Sequence, residues 1–327
     1  MKNYLREIEV GTTETIDVMV NSIENIDKQG TSYQRLHIKD IDGEEAAVQS
    51  FDIKISHITQ GSKKKDNVKY DMIIPSVITA TLSCQNYNNK KSYKLTKYQM
   101  SKRQVSEYFP KPEIDQKETL DAIIKTIGGI RKSLRILVYK IIGNNAEKYT
   151  HLPLMNSKIF SREGGLLEAT YKLIEIVNNV AGILGLDNQM CIAAASIYYI
   201  GYTDITNADY TENDADYIIG PEGIAFKKLI EAERDLINSE MKEYLNSEDM
   251  KFLEYLMISN INGNYFATAE GNIIHNADIM IRTVEEVKAS TKNTEAGLIE
   301  ASSRSRGRYY YKPPITTTNE AGGGQNA

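Results

Sequence analysis

The hydrophobic period of this 327-residue chain changes once, at "YFPKPEIDQ", residues 108 to 116, and that change constrains the fold more than any single motif. Two prolines close together suit neither a helix interior nor a central strand, so the stretch reads as a linker between two kinds of structure. Ahead of it, "TETIDVMVNSI", "SYQRLHIKD", "EEAAVQSF", "DMIIPSVITATL" and "KSYKLTKYQ" are short β-rich runs. They are parted by "DKQG", "DIDGE", "TQGSKKKDN" and "QNYNNK", where Gly, Asn and Asp let the chain reverse. Five such runs predict a small five-stranded barrel of the OB type, with an SH3-like barrel as the alternative.

Beyond the prolines the apolar spacing becomes three and four. In "GGLLEATYKLIEIVNNVAGILGL" the residues Leu166, Leu167, Thr170, Tyr171, Ile174, Val177, Val180, Ala181 and Leu184 make one helical face. Gly185 is placed to end that helix, and Asp187 or Asn188 to cap the next. Further helices are predicted at about 116 to 127, 131 to 143, 221 to 238, 247 to 259 and 269 to 288. The expected fold class is therefore α+β and multidomain. An OB-like barrel over 1–105 is followed by a linker over 106–118, an all-α domain over 119–300, and a basic, aromatic and then Gly-rich tail over 301–327.

At 41% hydrophobic and 25% charged residues the chain can bury two cores. No apolar run reaches membrane-spanning length and the N-terminus has no apolar signal core, so the expectation is a cytoplasmic protein with no membrane partner. Cys84 and Cys191 lack metal or disulfide spacing and read as buried thiols. The net charge of −5 is unevenly spread. Residues 61 to 103 hold ten Lys or Arg against two acids, and residues 204 to 255 hold fourteen acids against five bases, so one region suits a polyanion.

The order "GGLLEAT", "AASIYYIGYTD", "EGNIIHNADIMIRT", "RGRYYYKPP" behind a barrel resembles the YhaM family of bacterial 3′-to-5′ exoribonucleases. Those enzymes join an OB-fold domain to an HD-type metal phosphohydrolase domain. The resemblance covers almost the whole chain, and it implies a site built from a "GGLLEHT" helix, an "HDIGK" pair, an "SHHG" segment and a helical aspartate. This chain has the frame without the ligands: Ala169 replaces a histidine, Tyr198 and Tyr199 fall on the His-Asp pair, and "SNING" replaces "SHHG". Ile159 and Phe160 stand where further histidines are expected. Asp278 is the position that still matches a metal ligand.

The resemblance thus implies an HD-like helical domain with a degenerate site, no catalytic residue and no metal ligand set. Large side chains with a polar tip at 198 and 199 would fill the emptied cavity. The barrel is left as the working part, because OB folds bind single strands with aromatic faces and cationic side chains. The candidate nucleic-acid-binding residues are Tyr33, Arg35, His37 and Phe51 on the second and third strands. Tyr87, Lys90, Lys91, Tyr93 and Lys97 join them from the last hairpin. Alternation places Tyr33, Arg35 and His37 on one face.

Three readings remain open. The first is a non-catalytic single-stranded nucleic-acid-binding protein with no cofactor. The second is an active 3′-to-5′ exonuclease using Mn²⁺ or Mg²⁺ at a rearranged site. The third is a structural or assembly protein, such as a virus-encoded component. Self-association into a homo-oligomer is an expectation from the resembled family.

Overall fold

The computed structural model describes residues 2, 4–28, 30–59, 70–88, 90–154, 159–208, 210–211, 219–262, 267–291, 294–301 and 308–312. The Lys63–Lys65 run and Arg304 and Arg306 lie outside them.

The fold is α+β. Strands β1 (Thr13–Lys28), β2 (Thr31–Lys39) and β3 (Glu45–Ser50) form a meander, a short parallel pair β4 (His57–Thr59) and β5 (Met72–Ile74) follows, and β6 (Ser76–Tyr87) and β7 (Lys90–Met100) make the last hairpin. The ring β1-β2-β3-β7-β6 closes into a barrel. Its one parallel contact sets Val48 opposite Tyr93 and Gln49 opposite Lys94. This is the OB-like barrel expected from the turn signals.

Alternation sends Ile16, Val18, Val20, Leu36, Ile38, Val48, Ile78, Leu82 and Leu95 into the interior. Each such aliphatic side chain contributes about 1.5–3 kcal/mol by leaving water. Asp40 and Gln34 are polar side chains buried with their needs met. Asp40 accepts from the amides of Leu5, Asp42 and Glu44, which ties the N-terminal segment to the β2–β3 turn. Gln34 donates to the carbonyl of Ile55 and accepts from its amide, docking the chain that leaves β3.

The all-helical region comprises α1 (Gln116–Gly128), α2 (Lys132–Gly143), α3 (Ala146–His151), α4 (Gly165–Leu184), α5 (Asn188–Ile197), α6 (Tyr202–Ile205), α7 (Gly220–Ile237), α8 (Ser247–Asn262) and α9 (Ala269–Thr291). Gly185 ends α4 in the left-handed region at φ 67°, and Asp187 caps α5 by accepting from the amide of Met190. On the expected face of α4 Leu166, Leu167, Thr170, Ile174, Val177 and Ala181 are buried and Tyr171 and Val180 half-buried, whereas Leu184 at the helix end is exposed. A small antiparallel pair, β8 (Ile299–Ala301) and β9 (Tyr309–Tyr311), follows α9. Among the described residues no helix is long and apolar enough to cross a membrane.

The proline segment is bracketed by packing. Tyr108 and Phe109 are buried in one cluster with Met19 and Val77 of the barrel and with Leu152 and Tyr210 of the helical region. Phe109 and Tyr210 meet edge to face at 5.2 Å.

Between α7 and α8 the packing traps a carboxyl. Glu233 is 5% exposed, and burial first, then the hydrogen bond and charge of Glu254, push its pKa up to about 8. A carboxyl raised in the fold gives stability that is complete below its unfolded value of 4.5 and is lost as pH rises toward the folded value. The Tm of the wild type is therefore expected to fall between about pH 5 and 8 more steeply than that of Glu233→Gln, which should be the more stable protein at the alkaline end. Parallel melting curves for the two proteins across that window would refute the assignment.

Candidate functional site

On the barrel's outer face, β2 places Tyr33, Arg35 and His37 outward while Gln34, Leu36 and Ile38 point in. The chain leaving β3 brings Phe51 beside Tyr33, with ring centroids 5.0 Å apart and planes tilted by 31°. Phe51 stays 37% exposed, so the pair offers an open aromatic surface. Around it stand two cations. Lys94 of β7 lies 5.6 Å over the Phe51 ring, and an Arg35 amine lies 3.4 Å from the Tyr33 hydroxyl. Both already have acidic neighbours: Lys94 pairs with Asp52 at 2.9 Å, and Arg35 stands 3.7 Å from Glu24. Glu24 also lies 3.5 Å from His37 Nε2. The face is thus aromatic at its centre and charge-balanced at its edge.

The remaining candidates from the last hairpin do not join this face as a group. Tyr93 is a correction: it is 5% exposed, packs in the barrel core and donates its hydroxyl to the Leu5 carbonyl, so no base can stack on it. Burial pushes its phenol up to about 12. The Lys91 ammonium donates to the carbonyls of Arg6 and Ile8, holding the N-terminal segment. Tyr87 and Lys90 pair at the hairpin end, where Tyr87 is 70% exposed. Lys97 pairs with Thr81 farther along β7. Sequence reasoning missed Lys94 as a platform residue, although its neighbour Leu95 was a signal: an inward leucine turns the preceding residue outward.

In the helical region Tyr198, Tyr199 and Asp278 do meet. Ala169 is wholly buried in α4, and Tyr198 and Tyr199 follow α5 with both rings buried. The two rings contact edge to face at 5.1 Å, and Tyr202 lies 6.5 Å beyond. Tyr199 donates its hydroxyl to Asp278 Oδ1 on α9, and Arg282 Nε donates to the same oxygen at 2.6 Å. The Arg282 guanidinium stands 5.7 Å over the Tyr199 ring. Burial, with the charge of Asp278 next, holds the Tyr199 phenol well above its ordinary pKa, so it keeps its proton and serves Asp278 as a hydrogen-bond donor. What cavity remains between Tyr198, Ala194, Leu256, Met257, Gly271, Ile274 and His275 is about 10 Å³, room for one water at most.

A metal of the HD type needs several neutral imidazoles and carboxylates around one point. Among the described residues no three His, Cys, Asp or Glu side chains gather in that way. The donor set does not fit such an ion: Asp278 Oδ1 already takes a guanidinium and a phenol, and alanine and tyrosine stand at the other positions.

Two further features of this region were not foreseen. Arg162 is buried between two helices, gripping Glu168 of α4 with Nε and an amine at 2.8 and 2.9 Å and reaching Glu285 of α9 at 2.5 Å. Lys172 adds a contact to Glu168 at 2.5 Å. Secondly, the motif glycines are needed for packing. A Cβ on Gly165 would stand 2.0 Å from the Phe160 carbonyl oxygen, and one on Gly201 would stand 1.8 Å from that of Pro221. Neither demand involves a metal.

No protein-family model matches this chain, and no curated protein sequence matches it.

Proposed function

We propose that the protein is a non-catalytic single-stranded nucleic-acid-binding protein whose platform is the outer face of β2, β3 and β7, built beside a helical domain that resembles a decayed HD phosphohydrolase of YhaM type. The observation that carries this reading is the pair of half-buried Tyr33 and exposed Phe51, flanked by Arg35 and Lys94 on an OB-like barrel. Bases of any sequence stack on such rings, and the cations are placed for phosphates.

The acidic neighbours make the reading sharp. Glu24 and Asp52 compete with phosphate for Arg35 and Lys94, so Glu24→Gln and Asp52→Asn should each tighten single-strand binding. Each should also steepen the fall of log affinity with log salt, by about 0.7 if one more phosphate is neutralised. Tyr33→Ala and Phe51→Ala should each weaken binding by about 1–3 kcal/mol, the range for loss of one base stack. Fluorescence anisotropy of an end-labelled single strand reads all four variants. If the aromatic variants bind as tightly as the wild type, the platform is misplaced. The same assay with Mn²⁺ or Mg²⁺ tests the exonuclease reading, since a signal that rises and then decays would mean cleavage. A flat trace at low salt would favour an assembly protein.

A further inference from the structure

Beside the platform the barrel has a second concavity. A groove of about 220 Å³ is lined by Asn21, His37, Ile38, Glu45, Ala46 and Ala47. Two local features create it. The register of β1 against β2 shifts between Val20 and Ser22, so Asn21 is an extra residue that bends β1. Opposite, β3 sets Ala47 against His37 and Ala46 against Ile38, and two methyl groups fill little of the space.

The lining selects against one kind of ligand and for another. Glu45 in the lining and Glu24, 3.5 Å from His37, place two carboxylates near the groove, which disfavours a phosphate. His37 Nε2 stands 3.5 Å from Glu24, so that nitrogen is directed to the carboxylate. A carboxylate accepts from an amino group, and the Asn21 amide can donate and accept at once. The volume lies below the roughly 300 Å³ at which pockets for whole drug-sized ligands begin, a scale suited to one planar ring system. Along β2 the groove at His37 is about 13 Å from Tyr33, so an extended strand stacked on the platform can reach it with a nucleotide about two places along.

We infer that this groove is a base-reading subsite that selects a nucleobase bearing an exocyclic amino group, with Glu45 as its acceptor; the inference rests on the platform reading above. Cytosine and uracil are the discriminating probes, because they share ring size and differ in the group at C4.

The experiment compares end-labelled oligodeoxycytidine and oligodeoxyuridine of equal length by anisotropy. The wild type should bind the cytidine strand about fivefold tighter or more, the lower end of discrimination by one well-placed base contact. Glu45→Ala should bring the ratio toward one by removing the acceptor. Ala47→Leu should do the same by filling the groove without touching a polar group. Tyr33→Ala should weaken both strands and leave the ratio intact. Equal binding of the two strands by the wild type would overturn the subsite and leave the platform standing. A ratio unchanged in both Glu45→Ala and Ala47→Leu would also overturn it, since discrimination would then lie elsewhere. Failure of both strands to bind would overturn the platform and the subsite together.

Discussion

Arg162→Met is expected to destabilise the protein by about 3–5 kcal/mol, the range for removing one partner of a buried ion pair. The reason is what it leaves behind. Glu168 is 3% exposed and Glu285 8%, and Arg162 is the cation they share. Lys172 would still reach Glu168, whereas Glu285 would lose its guanidinium. A loss of that size is a large part of the stability of an ordinary domain.

The effect has a pH signature. Burial pushes the Glu168 carboxyl up, but Arg162 and Lys172 more than reverse this and hold it below its ordinary 4.5. A carboxyl lowered in the fold gives stability that is present above its unfolded value and is lost as pH falls through its folded value. The deficit of Arg162→Met should therefore be full at neutral pH and shrink below about pH 4.5, because the wild type then loses the same contribution. Urea titrations at neutral and acidic pH check both parts. A deficit under about 1 kcal/mol at neutral pH, the level of an exposed pair, would show the cluster to be solvated instead.

Tyr199→Ala is the second large effect. The ring is 1% exposed and packed between Tyr198, Tyr202 and Arg282, so truncation should cost about 3–5 kcal/mol, as for other buried aromatics. Tyr199→Phe separates packing from polarity. It keeps the ring and removes the donor to Asp278, which still has Arg282, so its cost should be about 1–2 kcal/mol. Chemical denaturation of the two variants orders them. If Phe costs as much as Ala, the hydroxyl rather than the ring is what holds this region, and the plug account fails.

Much of the architecture was legible because it is local. Strand boundaries followed turn residues such as Gly30 and Gly43, both at positive φ, and helix ends followed Gly185 and Asp187. The outward placement of Tyr33, Arg35 and His37 followed from alternation within one strand. What could not be read was set by distant partners. The use of Lys91 depends on carbonyls more than eighty residues away, and the burial of Tyr93 depends on which face of β7 the barrel turns inward when it closes on β3. The Arg162 cluster joins residues 123 apart, so Glu168 looked like a motif letter rather than half of a buried ion pair. Gly165 and Gly201 are explained by tight packing against Phe160 and Pro221.

The bulge at Asn21 has a consequence in parity. Before it, the inward residues of β1 are even-numbered, Ile16, Val18 and Val20; after it, the inward residue is Ile23 and Glu24 faces out. A chain without Asn21 would alternate without interruption and keep every one of those side chains on its present face. The barrel's wall therefore counts correctly with one residue fewer, and Asn21 is a removable tooth whose loss would straighten the strand while leaving the faces unchanged.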